Sequence, residues 1–242
     1  MKTWRASPDY GDKLKVDLEE AWKEITLDAL RFRAENESPE CPIVISGVVG
    51  PRRDGYKVDP SHKPSVDESR EYHRRQIHAF ARHGADVIAA YTMNHFEEAA
   101  GIVLAARDEK MPCVISFTVE TDGKLVSGET VAEVIRRIDE VTDKYALFYM
   151  INCAHPTHME NALKDPKLER SRLRGFFPNS SKKSHAELDK STEIDRGEPD
   201  KIGGELIGLL KACDLKPLVV GGCCGTSIDH VRNITESFSK SS

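Results

Sequence analysis

The chain has 242 residues, 39% of them hydrophobic, a formal net charge of -5 at pH 7, and six cysteines. Its length is enough to bury one large core, so a single domain over residues 1–242 is expected. Acidic and basic residues are interspersed, no run approaches the ~20 apolar residues that span a bilayer, and the start of the chain lacks the apolar stretch of a signal peptide. These features argue against nucleic acid, membrane and secretion. They favour a cytoplasmic protein whose thiols are metal ligands, nucleophiles or packing residues, not a disulfide framework.

Along the chain, short apolar runs alternate with helical patterns, as in a parallel sheet with crossover helices. Leu18, Ala21, Trp22 and Ile25 fall at helical spacing. Strands are expected at Ile43 to Ile45, Asp86 to Ala90, Cys113 to Phe117, Ala146 to Ile151, Leu173 to Phe177 and Leu218 to Val220. Between them, helical stripes run through Ala99 to Ala106, Val131 to Ile138 and Ile202 to Leu210. Ser65 with Glu68 and Thr130 with Glu133 read as capping boxes. Gly47 to Tyr56 has no phosphate-binding spacing and reads as a strand-end turn near a pocket. The mixed-charge stretches Lys164 to Arg174 and Ser180 to Arg196 read as solvated loops.

Two of the strands end in cysteine. The run from Leu218 continues into Gly221-Gly222-Cys223-Cys224-Gly225-Thr226, and the run from Ala146 into Asn152-Cys153. Three thiols at strand ends suit zinc, which binds thiolates tetrahedrally and in catalytic sites keeps a fourth position for substrate. The paired glycines are expected to let the backbone turn tightly enough to aim the cysteines together. Cys41, Cys113 and Cys213 are assigned to packing. His155 and His158, close behind Cys153, read as packed or exposed imidazoles and not as further ligands. Asn152 is placed to orient a ligand by hydrogen bonding.

The motifs Ile151-Asn152-Cys153-Ala154-His155-Pro156 and Gly221 to Thr226 resemble those of the homocysteine S-methyltransferase family. Further matches are Ile45 to Pro51, Glu97-Glu98-Ala99, Ser116 to Gly123 and Asn179-Ser180-Ser181. The resemblance implies zinc on Cys153, Cys223 and Cys224, and transfer of a methyl group from S-methylmethionine, betaine or a similar donor to homocysteine, giving methionine. It implies an α/β fold of the (β/α)8 TIM-barrel type, with sites at the C-terminal ends of the strands. Six strands are expected here, lacking the barrel's first strand and most of its second. Thr3-Trp4-Arg5-Ala6-Ser7 is similar to the motif that ends the second strand, which puts Thr3 and Trp4 among the substrate contacts. Glu120 or Asp122 would meet the substrate's amino group. Tyr91 stands where the family often has a glutamate. The alternative is a zinc-binding remnant or partner subunit without activity of its own. A thiol redox protein using Cys223 and Cys224 is disfavoured, because redox pairs are separated by two residues. Unpaired edges on an incomplete barrel would make a homo-oligomer possible.

Overall fold

The protein is described by a computed structural model over residues 6–59 and 64–240. Thr3 and Trp4 lie outside the described residues. The elements are α1 (Pro8–Leu14), α2 (Leu18–Asn36), β1 (Ser46–Val49), α3 (Val66–His83), β2 (Val87–Met93), α4 (Phe96–Asp108), β3 (Cys113–Phe117) and α5 (Val131–Thr142). They continue with β4 (Phe148–Asn152), α6 (Pro156–Leu163), β5 (Leu173–Phe177), α7 (His185–Asp189), α8 (Ile202–Ala212), β6 (Val219–Val220) and α9 (Ile228–Ser239). This is an α/β fold, and the six expected strands are six among the described residues.

Helix starts follow local chemistry. The Asp17 carboxylate accepts from the N–H groups of Glu19 and Glu20 at the start of α2. Both expected capping boxes form, Ser65 with Glu68 before α3 and Thr130 with Glu133 before α5. Each supplies partners to backbone groups that a helix end leaves unpaired.

The chain divides into two compact units. One comprises the described residues through Gly55, of Asp59–Ile115, and of Ile138–Leu147. In it β1 and β2 pair in parallel, with Ser46 opposite Val87 and Val49 opposite Ala90, and the first residues of β3 follow β2 in the strand order. Trp22 is completely buried, and its indole N–H donates to the carbonyl of Ala6 at 2.7 Å. That bond ties the segment before α1 to α2. Ile77, Phe80, Ile88, Ile102 and Val103 complete this core.

The other unit holds Tyr56–Val58, Ser116–Arg137 and the described residues from Phe148 onward. It contains the last residues of β3 followed by β4, β5 and β6, with β4–β5 and β5–β6 parallel. Phe117 and Tyr149 stack at 5.9 Å between centroids, and Ile151, Phe176 and Leu206 are buried with them.

Several boundaries differ from the sequence expectation. β1 begins at Ser46, not Ile43, because the Ile45 N–H is taken by the Asp86 carboxylate at 2.7 Å while Val44 points outward, 67% exposed. β2 runs on to Met93, β4 starts at Phe148, and β6 is confined to Val219 and Val220. Cys41 is exposed in a bridge with Ser38 and does not pack, whereas Cys113 and Cys213 are buried as expected. The Ser180 to Arg196 stretch is not simply solvated: Ser180 and Ser181 are each 2% exposed, and α7 forms within it.

Removing the Trp22 ring leaves a large cavity and an unpaired Ala6 carbonyl. Trp22→Ala should cost about 3–5 kcal/mol of unfolding free energy in urea titration, and Trp22→Phe distinctly less.

Candidate metal centre

Three strand ends in the second unit carry the candidate residues. Cys153 follows β4, Cys223 and Cys224 follow β6, and Glu120 follows β3. The three sulfur atoms lie within 4.8 Å of one another. Cys153 and Cys223 are joined as a disulfide, and the free Cys224 sulfur is 3.4 Å from that of Cys153. The bonded pair is thus not the vicinal pair. Zinc–sulfur bonds of ~2.3 Å in a tetrahedron put neighbouring sulfurs ~3.8 Å apart, so this cluster, once reduced, has the size and donor set for one zinc ion.

Backbone geometry brings the sulfurs together. Cys153 has φ 55°, in the left-handed region that non-glycine residues rarely occupy. Its N–H donates to the Phe177 carbonyl at 3.0 Å, and the Asn179 N–H donates to the Ala154 carbonyl at 3.1 Å. Across the site, the Cys223 N–H donates to the Pro178 carbonyl at 2.9 Å, and the Ser180 N–H to the Cys224 carbonyl at 3.2 Å. The segment after β5 therefore joins both cysteine loops. Gly221 and Gly222 do not act as the sequence suggested. Neither has a positive φ; a Cβ on Gly221 would stand 2.8 Å from the Phe177 ring, and one on Gly222 would meet Thr226. What they provide is room. Gly225 is the residue of this loop with left-handed backbone, φ 75°.

Around the sulfurs the polar groups are ordered. Asn152 is buried; its Nδ2 reaches the Cys223 sulfur at 3.8 Å, and its Oδ1 accepts from the Ser116 hydroxyl at 2.7 Å. Ser116 thus fixes which end of the amide faces the Cys223 sulfur. His155 caps α6: its Nδ1 accepts from the Thr157 N–H, which leaves Nε2–H facing Glu205 at 3.3 Å. Burial pushes its imidazole down to about 4, so it is neutral at pH 7. The His158 Nε2 donates to the Lys182 carbonyl at 3.0 Å, and burial lowers its pKa as well. Both rings are committed to the backbone scaffold.

Glu120 is held beside the cysteines by a residue that sequence reasoning missed. His185, the first residue of α7, donates from Nδ1 to Glu120 Oε1 at 2.8 Å and from Nε2 to the Cys153 carbonyl at 2.8 Å. Both ring nitrogens are thus engaged. Burial by itself would lower its pKa; the bonds to Glu120 and Cys153 reverse that and hold it above the ordinary value. Tyr56 covers the ring at 4.3 Å between centroids. The other acid is placed differently: Asp122 is exposed and closes a turn, its side chain accepting from the Lys124 N–H at 2.9 Å. Tyr91 belongs to β2 in the other unit, where burial raises its pKa. Glu98, of the Glu97-Glu98-Ala99 run, is also in that unit, buried between the His73 ring at 2.8 Å and the Arg52 N–H at 2.7 Å.

The family model described as homocysteine S-methyltransferase matches residues 2–238. Homocysteine S-methyltransferase 1 of Arabidopsis thaliana is 26% identical over 186 residues, covering 73% of this chain and 53% of the relative. Selenocysteine methyltransferase of Astragalus bisulcatus is 26% identical over 206 residues, covering 82% and 60%. The chain therefore spans between half and two thirds of the length of these curated relatives. Crystal structures of the homocysteine methyltransferase MmuM from Escherichia coli share the fold. The metallated form gives a TM-score of 0.73 at 20% identity, covering 97% of this chain and 77% of that one. The oxidized form gives 0.72 at 21%, covering 100% and 78%.

A methyl group on Gly225 would collide with the Ser180 hydroxyl and the Asp195 carbonyl at a backbone angle that disfavours any side chain. Gly225→Ala should lower stability by about 1–3 kcal/mol in urea unfolding and loosen the cysteine loop, read as weaker metal retention.

Proposed function

The chain belongs to the homocysteine S-methyltransferase family, and on that premise we propose that it moves a methyl group from an activated donor to the thiolate of homocysteine, giving methionine. Donors of the right chemistry are sulfonium and quaternary ammonium compounds such as S-methylmethionine and betaine. The observation that carries this reading is the convergence of three sulfurs from the ends of β4 and β6 within 4.8 Å. Zinc bound there would bring the substrate thiol, largely protonated at neutral pH, to its nucleophilic thiolate.

The chain's own residues supply placement. Cys153, Cys223 and Cys224 would hold the metal. Asn152, fixed by Ser116, orients the Cys223 sulfur by its amide. Glu120 would receive the substrate's ammonium: its Oε1 is paired with His185, and a carboxylate has acceptor capacity on both oxygens. Asp122, turned into its own loop, is the weaker candidate for that contact. The fold is read as a (β/α)8 barrel type, six of whose strands are formed here. A selenocysteine methyltransferase among the relatives makes a selenol an acceptor of the same class to test.

Reduced, purified protein should hold about one zinc per chain by elemental analysis, and Cys223→Ser with Cys224→Ser should abolish retention. Near-stoichiometric zinc in that double variant contradicts the assignment. With homocysteine and each donor in turn, methionine should form. Zinc retained with no methyl transfer from any donor would instead support a metal-binding chain without independent activity. Glu120→Gln should raise the homocysteine KM about 10- to 100-fold, the range for a lost charged hydrogen bond, with zinc content unchanged. An unaltered KM removes Glu120 from substrate recognition.

A further inference from the structure

We propose that His185 is a positioning residue that sets two parts of the centre at once, the backbone of Cys153 and the carboxylate of Glu120. The proposal rests on the zinc-thiolate reading for its substrate arm, though not for its structural arm. Cys153 sits at φ 55°, and such a residue persists only where its surroundings over-determine it. Three hydrogen bonds pin the Cys153–Ala154 backbone: those of the Cys153 N–H to Phe177, of the Asn179 N–H to Ala154, and of His185 Nε2 to the Cys153 carbonyl. The first two are backbone to backbone. The third comes from a side chain 32 residues away in sequence, and its other nitrogen binds Glu120, 65 residues from His185 on the same side.

The ring itself has little freedom. Each nitrogen is engaged at 2.8 Å, Tyr56 covers it, and its backbone starts α7 behind the Ser184–Glu187 capping box. Lys57, next to Tyr56, pairs with Asp189 at the end of the same helix at 2.8 Å. With both nitrogens already engaged, His185 is not placed to bind a metal or to take up a substrate proton, so its role runs through its two partners. A carboxylate free to rotate would meet an ammonium in many orientations; one tied at Oε1 presents Oε2 in a single one. His185 therefore fixes the distance between the sulfur site and the ammonium contact. That separation is the measure by which an α-amino acid with a two-carbon thiol arm is told from a shorter or longer thiol.

Three measurements test this on the full chain. In zinc-loaded protein, release of zinc to a chromogenic chelator should be about 10- to 100-fold faster in His185→Ala than in the parent, the scale found when outer-shell partners of metal ligands are removed. In metal-free reduced protein, hydrogen exchange across residues 150–156 should rise in His185→Ala, with circular dichroism confirming the fold. For substrate, His185→Ala should raise the homocysteine KM more than it lowers kcat and should improve relative use of cysteine. Added to Glu120→Gln, it should raise KM little further. Should the alanine variant fail to fold, His185→Gln decides: its amide can serve one partner but not both, so release and KM should lie between parent and loss. Parent-like zinc release and exchange in either folded variant overturns the proposal. Parent-like KM with fast release restricts His185 to Cys153. If the parent itself neither binds homocysteine nor methylates it, the functional reading fails, while the exchange and release results still decide the role of His185.

Discussion

A single backbone constraint, the left-handed turn at Cys153, organises this site. β4 ends at Asn152 and α6 begins at Pro156, so the chain reverses within three residues. A non-glycine residue takes the strained angle, φ 55°, and its sulfur thereby meets those of Cys223 and Cys224. The strain is offset by the hydrogen bonds that pin it from β5's far end and from His185. Alanine or serine here would lose the ligand, while glycine would adopt the turn and lose the sulfur. Chemistry and conformation therefore make opposite demands on this position, and the surrounding bonds reconcile them.

Charge is balanced in the same economical way. Once the centre is reduced, three thiolates and a carboxylate close together would repel one another, which raises the cost of ionising them all. The structure places the His185 ring, its pKa raised above the ordinary value, against Glu120 and the Cys153 carbonyl, and one neutral donor, Asn152, toward the Cys223 sulfur. His155 and His158 stay neutral under burial and serve as helix cap and loop anchor. Histidines are numerous in this region, yet each has a backbone or carboxylate partner that explains it.

Much of this was readable from residues alone. Apolar runs mark the strands, and β3 and β5 have the expected bounds, Cys113–Phe117 and Leu173–Phe177. β1 was misplaced since Ile43 to Ile45 looks more strand-like than Ser46 to Val49; a carboxylate from Asp86, 41 residues on, takes the N–H that would have extended the pairing. The cysteines announced themselves by type and position. His185 gave no such signal. It lies in a charged stretch with no periodicity, and its partners are 32 and 65 residues away, so only the folded chain shows what it touches. Gly221 and Gly222 stand out in the sequence, but only the fold shows that neighbours crowd them, whereas the turn angle belongs to Gly225.

The central claim is that Cys153, Cys223 and Cys224 form one metal centre that accepts a thiol in its remaining position. Zinc K-edge X-ray absorption on the reduced, zinc-loaded protein, before and after homocysteine, addresses it directly. The account predicts three sulfur neighbours at ~2.3 Å in the free protein and a fourth on adding homocysteine. A sulfur count that stays at three when homocysteine is saturating, or a first shell rich in nitrogen from the nearby histidines, would contradict it.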